Sequence, residues 1–205
     1  MGEQIESFPL FPLGIVMLPG EIVPLHIFEE RYKLMIGECI DQEREFGIVW
    51  VADEGLAAVG CAGRITQVLE RTPDGRLNIL VRGARPFRLL ERTPDLPYPA
   101  GTIELLEDDV PEASADALAA ARDRYATLVE RVTDNRPEET ELALLGAYGM
   151  AATVEFATAP KQALLEERSE PRRLELLGEM LDETLRKLER SEHAGDIART
   201  NGKPR

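Results

Sequence analysis

Four prolines inside one apolar stretch constrain this chain more than any other feature. Between Phe8 and Ile36 most residues are apolar, yet Pro9, Pro12, Pro19 and Pro24 interrupt them. Proline lacks an N–H and cannot sit mid-ladder, so the stretch is neither one helix nor one strand. It reads as two short strands on a sheet edge, around Phe8–Phe11 and Ile22–Phe28, joined by a Pro19-Gly20 turn. Past Phe28 the period becomes helical. Tyr32, Met35, Ile36, Cys39 and Ile40 share one face of a helix over residues 29–42.

The remainder of the first half reads as strands. Phe46–Val51 is a continuous apolar run, suited to a strand covered on both faces. Thr72-Pro73-Asp74-Gly75 predicts a hairpin turn, with Pro73 presetting φ and Gly75 free to take a positive one. After it Leu77, Ile79 and Val81 alternate with Asn78 and Arg82. Phe87 and Leu89, then Ile103 and Leu105, suggest two more strands around a Pro94–Pro99 loop. Many strands with one inserted helix suggest a barrel, because closure removes exposed edges.

The pattern changes at Asp108-Asp109-Val110-Pro111. From Ser114 a helix carries the stripe Leu118, Ala121, Tyr125, Leu128, Val129 and Val132, and ends at Asp134-Asn135-Arg136-Pro137. A Gly-containing helix is expected over residues 138–152, a short one near Pro160, and a fourth after Ser169 with Leu174, Leu177, Leu181, Leu185 and Leu188 as its stripe. The expected organisation is α+β: a barrel over residues 6–109, a helical bundle over 112–192, and a disordered tail over 193–205.

At 205 residues the chain can bury a real core. Its net charge of −14 opposes bulk attraction to nucleic acid or anionic membrane. Residues 1–7 carry Glu3 and Glu6 and no basic run, so no signal peptide is expected, and no stretch approaches a membrane span. Cys39 and Cys61 read as buried, reduced thiols in a cytoplasmic protein, with a disulfide between them the minority reading.

Several blocks together carry a resemblance. The first is Pro24-Leu25-His26-Ile27-Phe28-Glu29 with Arg31-Tyr32; the second runs from Val59-Gly60-Cys61-Ala62-Gly63-Arg64 through the turn to Arg82-Gly83-Ala84-Arg85-Pro86-Phe87-Arg88. More weakly, Lys161-Gln162-Ala163-Leu164-Leu165-Glu166 follows. In this order they resemble the Lon N-terminal domain family, the substrate-binding domain of Lon proteases. The first block is most similar to short bacterial members that lack the ATPase and protease domains. The resemblance implies a PUA-like β-barrel and a non-catalytic, polypeptide-binding role in protein quality control.

The chemistry visible in the residues agrees. No Gly-x4-Gly-Lys-[Ser/Thr] loop is present, and Ser7, Ser114, Ser169 and Ser191 lie in no Gly-x-Ser-x-Gly elbow. His26 and His193 are the only histidines, so no metal or other cofactor is expected. His26 reads as a hydrogen-bonded histidine on the outer face of a strand. Glu29 and Arg31 read as residues that pin the helix, with Arg31 pairing across to another strand. Candidate peptide anchors are Phe28, Tyr32, Trp50 and Phe87, in a groove between barrel and helices, because aromatics dominate such interfaces. Core packing is the competing reading for all four.

Locally, residues 64–92 hold seven arginines against three acids, a balance of +4. Arg82, Arg85 and Arg88 on the strands over 76–92 are therefore an alternative nucleic-acid face, since arginine reads phosphate bidentately. Phe87 alone supplies an aromatic there, too few for base stacking. Expected partners are unfolded or extended polypeptides, and a protease or another protein served by an adaptor or chaperone-like module. RNA is the second reading, and an ATP-independent hydrolase the third.

Overall fold

The computed structural model describes residues 2–94, 96–109 and 113–201. Seven strands, β1 (Gln4–Leu13), β2 (Ile22–Ile27), β3 (Phe46–Ala52), β4 (Gly55–Leu56), β5 (Val59–Arg71), β6 (Leu77–Thr93) and β7 (Ala100–Leu105), form one sheet. Helix α1 (Glu30–Asp41) follows β2, and α2 (Ala115–Thr133), α3 (Glu139–Leu142), α4 (Ala147–Ala151), α5 (Thr158–Glu166) and α6 (Glu170–Asn201) follow the strands. The fold is mixed α/β. Its pairings are antiparallel except β1 with β3, and β1-β7-β6-β5-β3-β1 closes a ring. Strands β2 and β4 hang from that ring on β6 and β3.

The prolines explain how the ring is wired. The proline-rich segment does split into two strands, but β1 is not at an edge. It pairs with β7 over Gln4–Pro9 and with β3 over Leu10–Leu13. Because the strand hands over from one neighbour to the other, neither Pro9 nor Pro12 has to serve two ladders. Strand β2, with Pro24, pairs only with β6. The same device runs β6 straight through Pro86, where two strands were expected. Its residues 77–82 face β2 and 87–93 face β7, so Pro86 falls between the two ladders on that side.

Two apolar clusters form the core. One draws Phe8, Leu10, Val49, Ala62, Phe87, Ile103 and Leu105 from all five ring strands. Gly47 and Gly60 are needed there, because a Cβ at either would stand about 2.5–2.6 Å from the Phe87 ring. The other is continuous from the sheet into the helices. It includes Phe11, Ile48, Cys61 and Val81 together with Tyr32, Met35, Ile36 and Cys39 of α1, Tyr125 of α2, and Leu174, Leu177 and Leu181 of α6. The helical stripes read from the sequence face this core, with Ile40, Leu118, Val129, Leu185 and Leu188 only partly buried and Val132, at the end of α2, exposed. Cys39 and Cys61 are buried free thiols.

The expected helix over 138–152 is two short helices. Gly146 is extended and breaks it, while Ala147 N donates to Glu170 Oε1 at 2.8 Å. Helix α6 continues to Asn201, past the start of the expected tail, and residues 202–205 of that tail lie outside the described residues. So do residues 110–112, where the boundary between the two expected domains falls.

Two ion-pair clamps join helices to sheet. Arg173 is 2% exposed. It donates to both carboxylate oxygens of Asp108, to Glu170 at 2.8 Å and to Glu167 O at 3.2 Å, and its guanidinium lies 4.3 Å from the Tyr148 ring. Beside it Arg168 Nε donates to Glu107 O, and Asp109 bridges Ser169. The second clamp explains the Lys161–Glu166 motif. Lys161 Nζ donates to both oxygens of Glu21 at 2.7 and 2.9 Å, Gln162 Nε2 donates to Val59 O at 3.0 Å, and Leu164 and Leu165 are buried.

Replacing Arg173 with Met leaves Asp108 and Glu170 facing each other without a cation. Urea denaturation is expected to show a loss of about 2–4 kcal/mol, moderated because Asp108 can regain water. A loss under about 1 kcal/mol would show that this clamp is not what holds the halves together. A second expectation concerns pH. Burial pushes the Tyr148 phenol up to about 12, against the pull of Arg173. A phenol raised above its unfolded value contributes fully below pH 10 and loses that contribution between pH 10 and about 12. Stability should fall across that window, and Tyr148→Phe should make the fall shallower; identical profiles would exclude the residue as a contributor.

Candidate functional site

One surface open to a ligand lies outside the ring, on the faces of β2, β6 and the far half of β5. Alternation along β2 turns Leu25 and Ile27 inward and leaves Ile22, Pro24 and His26 outside. Opposite them on β6, Leu77, Ile79 and Val81 are buried, so Asn78, Leu80 and Arg82 face outward. A polar chain ties the three strands across this face. His26 Nδ1 donates to Asn78 Oδ1 at 2.6 Å, and Asn78 Nδ2 donates to Glu70 Oε2 at 2.7 Å. Phe28 continues the outer row, is 59% exposed and stacks on His26 with centroids 5.8 Å apart.

Pro24, Leu25, His26, Leu69, Glu70, Asn78 and Ile79 line a cleft of about 460 Å³ there. Leu69 is 52% exposed at its rim. Strand β5 pairs with β3 only through Cys61, Ala62 and Gly63, so its residues 64–71 overhang the ring with β6 alone beside them. That overhang is why Val68 and Leu69 are both exposed although neighbours on a strand point opposite ways. The sequence carried this signal in the adjacent pair Val68-Leu69, which one buried face cannot absorb, and it went unread.

The basic end of the same face lies at Arg82, opposite Ile22 on β2 and Arg64 on β5. Glu45 sits between Arg64, at 3.2 Å, and Arg85, at 3.7 Å. Arg82 makes no ion pair among the described residues. Arg88 stands apart, opposite Glu104 of β7.

The four aromatic candidates do not share one groove. Phe87 is fully buried in the ring cluster and Tyr32 is 5% exposed, its ring 4.2 Å from Phe11. Trp50 is half-buried against the larger cluster. Only Phe28 is open. The junction between strands and helices, expected as the groove, is filled by the continuous core. The physical reason is helix α5, which the Lys161–Glu21 and Gln162–Val59 contacts hold against the sheet. Arg31 pairs with Glu29, two residues away, and covers the Tyr32 ring at 4.5 Å instead of reaching another strand.

Little on this surface is suited to bond chemistry. His26 is oriented by an amide, not by a carboxylate. Lys33 is engaged by Glu30 and Asp74 O, and Lys161 by Glu21. Ser114 Oγ caps α2 and Ser191 Oγ donates to Leu188 O. Burial pushes both thiols upward, Cys61 strongly, so neither is poised as a thiolate. Hydrogen bonding from Thr72, then Arg76, holds Asp74 down at about 2, which stiffens the β5–β6 turn. Among the described residues no group of three or more His, Cys, Asp or Glu could hold a metal ion, and no helix is long and apolar enough to cross a membrane.

The opposite burial of Phe87 and Phe28 gives a direct check. Phe87→Ala should cost about 3–5 kcal/mol in chemical denaturation, as for a filled core site. Phe28→Ala should change stability by no more than about 0.5 kcal/mol. The reverse order would mean that the ring interior has been misassigned.

Comparison with known proteins places this geometry. Residues 7–183 match the family model described as the ATP-dependent protease La (LON) substrate-binding domain. The chain belongs to that family. It is 22% identical to the Lon protease of Cytophaga hutchinsonii over 200 residues, covering 88% of this chain and 24% of that protein. It is 30% identical to the Lon protease of Parabacteroides distasonis over 116 residues, covering 52% of this chain and 14% of that protein. The chain thus spans at most about a quarter of the length of these relatives. A Lon N-terminal domain protein from Xanthomonas campestris superposes with a TM-score of 0.65 at 29% identity, covering 84% of this chain and 97% of that one. The N-terminal domain of a Mycobacterium avium complex Lon protease has the same fold, with a TM-score of 0.64 at 22% identity, covering 86% and 98%.

Proposed function

We propose that this chain, as a member of that family, is a polypeptide-recognition module, and that the outer face of β2, β6 and β5 is where an apolar segment docks. Phe28 carries the reading. A phenylalanine left open beside an apolar cleft, on a tied three-stranded platform, is placed for contact with another molecule. The rigid His26–Asn78–Glu70 chain beneath it lowers the ordering cost of docking. Trp50 is a secondary contact at most, and Tyr32 and Phe87 support the site from the core.

The module works without catalysis of its own, in the cytoplasm, in an adaptor or chaperone-like role that presents polypeptides to a protease or another protein. The closed ring of five strands supports a PUA-like reading of its fold. The sheet part over 6–109 and the helical part over 112–192 act as one body, because the two clamps and the shared core join them. Nucleic-acid binding is less well supported. Arg88 is remote from Arg82 along β6, and Phe28 is a single aromatic where a row is needed.

The test is fluorescence anisotropy of a labelled, permanently unfolded protein titrated with the chain. Saturable binding is expected, weakened about tenfold or more by Phe28→Asp, which places a charge at the anchor. Absence of saturable binding, or equal affinity for the two proteins, would overturn the proposal.

A further inference from the structure

The docking face has two chemically different ends. At one end Pro24, Leu69 and Glu70 line the cleft, and Phe28 stands beside it, stacked on His26, which lines it too. At the other, Arg82 is exposed and free of ion pairs among the described residues, with Arg64 directly across the strand pair. Arg64 and Arg85 share Glu45, so this end holds three guanidinium groups of which two already meet one carboxylate and Arg82 meets none among the described residues. Phe28 and Ile22, the residue opposite Arg82, are six positions apart along one extended segment. At the rise of a strand that is about 20 Å, the reach of about six or seven extended residues.

We propose that the polypeptides selected here carry acidic residues about six positions from their apolar anchor. This deepens the polypeptide-binding reading and rests on it. The complementarity is local. The chain is net −14, so a uniformly acidic ligand is repelled at long range, whereas within a screening length of about 8 Å the three arginines dominate. Glu70 disfavours an acid at the anchor itself, so the platform distinguishes an acid placed at a distance from one beside the apolar residue. Arginine suits this task because its planar fork binds a carboxylate bidentately. Phosphate has the same appeal to arginine, but a nucleic acid would leave the apolar cleft unused and find one aromatic to stack on.

Labelled peptides of equal length with one Phe anchor test this at physiological salt. They carry two Glu, two Gln or two Lys six positions from the anchor, on either side of it. A single-stranded oligoribonucleotide is run beside them. The proteins are the full chain and its Arg82→Gln/Arg85→Gln variant, both changes at exposed positions. The Glu peptide is expected to bind about fivefold tighter than the Gln peptide and tighter still than the Lys peptide. The double substitution should remove that preference, bringing the Glu, Gln and Lys peptides to similar affinities. If all three peptides bind equally, the charge inference falls and the apolar docking site stands. If none binds, both fall. If the oligoribonucleotide binds, loses affinity in the variant, and no peptide preference exists, the arginines read phosphate and the inference is overturned.

Discussion

A single buried guanidinium holds the two halves of this protein in register. Arg173 reaches the end of the sheet region at Asp108, its own helix at Glu170, the preceding turn at Glu167 and the face of Tyr148. A cation so placed is tolerable only when every direction it points is answered, because its desolvation is large. Its partners come from separate stretches of chain, so the arrangement is complete only in the folded protein. The Lys161–Glu21 pair repeats the logic from α5 to the loop before β2. Between the clamps the apolar core runs without a break from strands to helices.

The proposed recognition face lies on the outside of the ring. There the strands are laddered but not covered. Strand β2 is bonded on one side and guarded by Pro24, and the far half of β5 overhangs beyond β3. An overhang of this kind leaves apolar side chains open without weakening the ring, since the ring closes through β3, β1 and β7. The register shifts in β5 at Ile65/Gln67 and Val68/Glu70 bend the open edge and discourage another chain from pairing along it. The face therefore suits contact through side chains more than extension of the sheet.

The electrostatics follow the same division. Many of the basic side chains are engaged in surface pairs, such as Arg136 with Asp123 and Glu130, Arg172 with Glu175, and Arg131 with Glu189. The His26–Asn78–Glu70 chain spends three more polar groups on rigidity. Arg82 lies across from Arg64 and near Arg85, both paired with Glu45, and has no ion pair of its own among the described residues. An open cation at one end of a platform and an open phenylalanine at the other give that platform a direction, which a uniformly apolar groove would lack.

Much of the fold was legible in the residues themselves. Prolines forced the break between β1 and β2, period marked α1, α2 and α6, the Thr72–Gly75 turn fixed a hairpin, and ordered blocks pointed to the family. These signals are local, and each is decided by a few neighbouring side chains. What the sequence could not show was which strand a residue would face. Phe28 and Phe87 are the same residue in similarly alternating runs, yet one is open and the other fills the ring. Likewise Pro9 and Pro12 read as edge markers, and they and Pro86 are tolerable inside long strands because those strands change partners. Arg82, Arg85 and Arg88 read as one cationic row, yet Arg85 shares Glu45, from the segment before β3, with Arg64, and Arg88 lies against β7 instead. Helical periodicity and turn chemistry are set by residues within a few positions of one another. Burial and charge compensation depend on neighbours distant in the chain, so only the tertiary structure decides them.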